Sequence, residues 1–127
     1  MYKEVVICIV VIILIVSLDI FTQKYTRSTT SDITQIFADL KGDMLKEDKD
    51  KIEEKVKILD EKWGQKHDRL AYYIEHDELE KVDTEIVSLK SYVETDDYSS
   101  AIAELDEGKF ILEHIQKKYA FNLENIF

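Results

Sequence analysis

The sequence predicts an all-α protein: a single N-terminal transmembrane helix followed by an antiparallel bundle of three to four helices. Three observations carry this reading. The chain of 127 residues holds three glycines and no proline, so little in it breaks a helix. Apolar residues beyond position 32 recur at spacings of three and four, the period of a helix with one buried face. Residues Val5 to Phe21 (VVICIVVIILIVSLDIF) form one apolar run interrupted by a single charge. The chain divides accordingly into a transmembrane anchor (1–25), a polar neck (26–32) and a helical bundle domain (33–127), with room for one core and no more.

At 1.5 Å per residue the apolar run spans ~25 Å, the short end of what crosses a hydrocarbon layer. Its Val and Ile content would favour a strand in water. In lipid a lone strand would leave its backbone groups unpaired, so the run is helical there. Tyr2 and Tyr25 are placed to sit at the two interfaces, Lys3 and Lys24 to reach outward, and Asp19 lies near enough to the end to meet headgroup water. A cleaved signal peptide needs a basic start and a small-x-small site. Here the start is Tyr-Lys-Glu, and Leu18-Asp19-Ile20-Phe21-Thr22-Gln23 offers no such site, so the segment is read as retained. A short tail ahead of one span is the form of a signal anchor, which places the protein in the cell membrane, single-pass, with its soluble domain extracytoplasmic. Cys8, the one cysteine, lies within the run, follows Val-Val-Ile rather than small residues, and reads as an apolar residue facing lipid.

The segment Thr26 to Asp32 (TRSTTSD) is expected to form the neck, with Thr30 or Ser31 capping the next helix. Ile33, Phe37, Leu40 and Met44 then make one stripe. Pairs Glu47–Lys51 and Glu53–Lys57 support a solvated helix running on through the charged patch 46–51. A stripe in a new phase follows at Ile52, Val56, Leu59, Trp63, Leu70 and Tyr73 or Ile74. His76-Asp77-Glu78 marks a boundary, with Asp77 as the N-cap. Leu79, Val82, Ile86, Leu89 and Val93 form the third stripe, Thr95-Asp96-Asp97 interrupts, and Tyr98, Ala101, Leu105, Gly108, Leu112, Ile115 and Tyr119 form the last. Short linkers make consecutive helices antiparallel, and alternating spacings of three and four pack them near 20°. Gly108 on a stripe predicts close approach of a neighbour, and Gly64 a kink or a close contact.

The formal net charge of −10 is uneven: residues 1–27 carry +1 and the remainder −11. Residues 41–69 are balanced, nine basic against nine acidic, whereas Glu75 to Glu107 holds twelve acids against Lys81 and Lys90. That excludes nucleic acid as a partner and predicts that the acidic stretch faces away from anionic headgroups. The histidines each adjoin an acid (His67-Asp68, Glu75-His76-Asp77, Glu113-His114), but neither Glu-x-x-His nor a His pair at (i, i+4) occurs, so no metal site is assigned. Asp96-Asp97 falls in an exposed turn, no serine, cysteine or lysine is matched with a base, and no phosphate loop is present. No catalytic or cofactor-binding residue is assigned, no cofactor is expected, and the chain is read as a non-enzyme. Trp63 reads as core rather than as part of an aromatic patch with Tyr72 and Tyr73. The terminal Phe121, Leu123, Ile126 and Phe127 are expected either to close the bundle or to dock on a membrane partner.

The N-terminal span, Trp63, Tyr73-Ile-Glu-His-Asp-Glu-Leu79, Glu113-His-Ile115 and Asn122-Leu-Glu-Asn-Ile-Phe127 together resemble domain-of-unknown-function family 4363, small membrane-anchored proteins of clostridia-like spore formers. The resemblance implies a membrane anchor, a helical domain, no assigned activity and, because members are often encoded near small polytopic membrane proteins, a membrane partner. The function expected is that of an accessory or assembly protein acting on the lipid bilayer with another integral membrane protein. The alternative is a membrane-anchored sensor or binding module for a small ligand or cation.

Overall fold

The computed structural model describes residues 1–126, with side chains through Tyr119, so the terminal group Phe121, Leu123, Ile126 and Phe127 lies outside the described side chains. Four helices make up the described chain: α1 (Tyr2–Leu45), α2 (Lys49–Leu70), α3 (His76–Glu94) and α4 (Tyr98–Ile126). Each packs against the next, and α4 closes back on α1, giving an antiparallel bundle in cyclic order. The four stripes meet at its centre: Ile33, Leu40, Ile52, Leu59, Leu79, Val82 and Ala101 are all fully buried.

Helix α1 departs from the sequence reading in its middle. Residues 26–32 are continuous helix rather than a neck with a new cap, and Thr26, Thr29 and Thr30 are buried. Thr26 meets this by returning its hydroxyl to the helix backbone, whereas the Thr29 hydroxyl is buried with no partner among the described residues. Thr26 Oγ1 donates to the Thr22 carbonyl at 2.8 Å and lies 2.8 Å from the Tyr73 hydroxyl. The helix is thus one rod of 44 residues, ~66 Å long.

The charged patch after α1 is a turn, not a solvated helix. Glu47 N–H donates to Met44 O and Asp48 N–H to Asp43 O, with Glu47 at φ 54°, a left-handed C-terminal cap. The turn from α3 to α4 repeats it: Asp96 N–H to Val93 O, Asp97 N–H to Tyr92 O, and Asp96 at φ 56°. In both, the next residue caps the following helix, Asp48 accepting from Lys51 N–H and Asp97 from Ser100 N–H. Lys49 and Asp96 join the two turns at 3.9 Å. At the other end, the N-cap of α3 is Glu75, two residues earlier than Asp77, and its N–H donates to the Tyr119 hydroxyl at 2.8 Å.

Gly108 is a point of close approach: a Cβ there would stand 2.9 Å from the buried Phe37 ring of α1. Gly64 is not a close contact, as a Cβ would meet nothing within 4 Å, and α2 runs through it as continuous helix.

Candidate functional site

Along the α3–α4 seam, the hairpin folds residues equidistant from its turn onto each other. Glu85 of α3 meets Glu104 and Glu107 of α4, with one oxygen from each within 4.8 Å of the others. Burial, hydrogen bonding to Glu104 and repulsion from Glu104 and Glu107 push Glu85 up to about 8. With all three ionised, Glu85 Oε2 is enclosed and has no donor to accept from. A proton held on Glu85 turns it into a donor toward the neighbouring carboxylates, so Glu85 itself is largely neutral at neutral pH. The arrangement suits proton holding or a hard cation. Sequence spacing did not reveal it, because the three acids form no local motif; the signal available was reflection of α3 onto α4 through Thr95–Asp97. Phe110, 70% exposed, borders the groove of about 680 Å³ beside this trio.

The α2–α3 seam is built on Trp63, which is buried as expected for core. Its indole N–H donates to Asp83 Oδ1 at 2.6 Å, His67 Nε2 lies 3.2 Å from Asp83 Oδ2, and the two rings meet edge to face. The histidines are dispersed: His76 pairs with Glu80 at 2.9 Å within α3, and His114 is exposed on α4. Asp96 and Asp97 are exposed in a turn, as expected, and serve the turn and the cap of α4.

A third assembly surrounds the point where the apolar part of α1 leaves the bundle. Leu18, Phe21, Thr22 and Tyr25 of α1 face Arg69, Tyr72 and Tyr73 across a cleft of about 390 Å³ with almost wholly apolar walls. Burial pushes the Tyr73 phenol up, and its bond to Thr26 opposes that. Lys66 Nζ stands 5.3 Å from the centre of the Tyr25 ring. Lys118 pairs with Glu78 at 3.3 Å and Glu75 at 3.5 Å on the far side of the same end. The acidic stretch therefore does not stand away from this end as a block: Glu75 and Glu78 begin it there, neutralised by Lys118, while Asp96 and Asp97 sit at the opposite tip.

Residues 2–21 of α1 are exposed on nearly every side, with Ile7, Ile12, Leu14 and Leu18 all more than half exposed. This one helix is long and apolar enough, by length and composition, to cross a membrane or to act as a signal sequence. A family model described as a domain of unknown function, DUF4363, matches residues 20–126, which covers the whole bundle and leaves most of the apolar run outside. No curated protein and no solved structure matches the chain.

Proposed function

We propose, from the premise that the chain belongs to the DUF4363 family, that it is a single-pass membrane protein acting as a non-enzymatic accessory or assembly factor for another integral membrane protein. One observation carries this reading: a single uninterrupted helix is uncharged and apolar around its circumference over residues 5–18 and striped beyond residue 32. Apolar surface of that extent is unfavourable in water at roughly 25 cal/mol per Å², and bilayer or protein must cover it. The bundle, with its extracytoplasmic placement, is the part that meets the partner. Its core is closed, and its exposed apolar side chains (Leu45, Ile58, Val87, Phe110) are scattered.

The test is alkaline extraction of membranes followed by photo-crosslinking from probes placed at the exposed bundle residues Val87 and Phe110. The expected result is retention in the pellet and one discrete crosslinked membrane protein. Release into the supernatant, or a mature protein beginning beyond Thr22, overturns the anchor. Absence of any crosslinked protein overturns the partner. External protease cleaving the bundle in intact cells checks the orientation.

The sensor reading keeps one supporting observation, the carboxylate trio. Under it, calcium or magnesium raises the unfolding midpoint saturably in physiological sodium chloride, and Glu104→Gln with Glu107→Gln removes the effect. A small, unsaturable response is the outcome expected for an assembly factor.

A further inference from the structure

We propose that the cleft where α1 leaves the bundle is a binding site for an anionic phospholipid of the leaflet that the bundle faces. The inference rests on the membrane-anchored reading and adds to it a site and a ligand. Leu18 and Phe21 form its lower wall, and both belong to the apolar run. With that run in hydrocarbon, the lower half of the cleft opens onto acyl chains and the upper half onto headgroups. Water finds no partners on such walls. An extended polypeptide entering from the bilayer side would leave backbone groups unpaired there. An acyl chain continues upward into the space without either cost.

The upper rim supplies the headgroup contact. Arg69, in the last turn of α2, is exposed and makes no ion pair with any described residue. Its sequence neighbour Asp68 lies against His67, at 3.8 Å, instead. A guanidinium fork matches phosphate oxygens bidentately, and Lys66 beside Tyr25 adds a second positive charge to the same rim. Tyr72 is 90% exposed, which is anomalous for an aromatic ring in water and ordinary for one at a membrane interface, where ring and hydroxyl meet different media. A phospholipid has the matching order: tail against Phe21, glycerol and carbonyls beside Thr22 and Tyr72, phosphate at Arg69.

The experiment uses the full chain carrying Tyr72→Trp, reconstituted in vesicles of phosphatidylcholine and phosphatidylglycerol, with one or the other lipid brominated on its acyl chains. The native Trp63 is buried in the bundle and provides the unquenched background. The expected result is quenching by both lipids, with phosphatidylglycerol favoured about fivefold in relative association, the effect of one cation meeting one lipid charge. Arg69→Gln brings that preference to about one. Arg27→Gln, on the opposite side of α1 against Gln116 and Tyr119, leaves it in place. Equal quenching by the two lipids, or an equal fall in both arginine variants, overturns the site while leaving the anchor standing. Absence of quenching by either lipid, together with alkaline release, overturns the anchor and the site together.

Discussion

Residues 2–21 and 22–45 share one helix and meet their surroundings in opposite ways. The first half, between Glu4 and Asp19, is apolar on every face and touches almost nothing. The second is apolar along one stripe, with Ile33, Phe37, Leu40 and Met44 buried and their flanks charged. Backbone geometry does not distinguish them; the solvent each half is composed for does. A stripe selects a partner direction, whereas an all-round apolar surface selects only a medium. The membrane reading and the bundle reading are therefore independent, and experiments can separate them.

The largest separation comes from placing the same carboxylate in each half. Leu40→Asp buries an unpaired charge and costs at least ~4 kcal/mol, enough to unfold the bundle. Ile12→Asp leaves the bundle's urea midpoint unchanged, measured by Trp63 emission in mild detergent, yet moves protein from the membrane to the aqueous fraction. If Ile12→Asp unfolds the bundle, the two halves are one cooperative unit. Next, Gly108→Val drives two methyl groups toward the Phe37 ring and destabilises by about 2–3 kcal/mol. Gly64→Ala, in open space, stabilises by about 1 kcal/mol. The same midpoint measures both.

The carboxylate trio gives a pH-dependent contrast. Glu85 is raised in the folded state to about 8 against an unfolded value near 4.5, so the folded state binds the extra proton between those values. The stability this brings is complete below the unfolded value and is lost as pH rises through the folded one. Urea midpoints accordingly fall between pH 5 and 8.5. Discounting for partial exposure, Glu85→Gln raises stability at pH 8.5 by about 2 kcal/mol and flattens the profile. A parent profile that rises over this range would place the proton elsewhere. The smallest effect lies at the junction of the two halves. Thr26→Val or Tyr73→Phe removes the hydroxyl contact at 2.8 Å and costs about 1 kcal/mol, and the double variant costs little more than either alone.

Periodicity made the stripes and the close approach at Gly108 legible, because burial and helical spacing are both written locally. What stayed hidden depended on which conformation a polar residue adopts. TRSTTSD reads as solvated until Thr26, Thr29 and Thr30 are seen turned inward. The turn at Lys46–Asp48 lacks the glycine that usually announces a left-handed cap, and Glu47 adopts that conformation at a cost of ~1 kcal/mol. Glu47→Gly is expected to recover that amount. Glu75 replaced Asp77 as N-cap because the cap is fixed by backbone geometry, with no side-chain bond to favour aspartate. The trio and the cleft join residues from different helices, and no single segment contains either.

The unbroken rod sets an altitude. From Thr22 to Leu45 the helix rises ~36 Å, so a bundle standing on a membrane would carry its two left-handed turns about that far from the lipid surface. A protein lying flat against the bilayer would never touch Glu47 or Asp96. On the membrane-anchored reading, only a partner whose own domain stands comparably tall would reach that tip, and low, loop-only membrane proteins would be confined to the collar of Arg69, Tyr72 and Lys118.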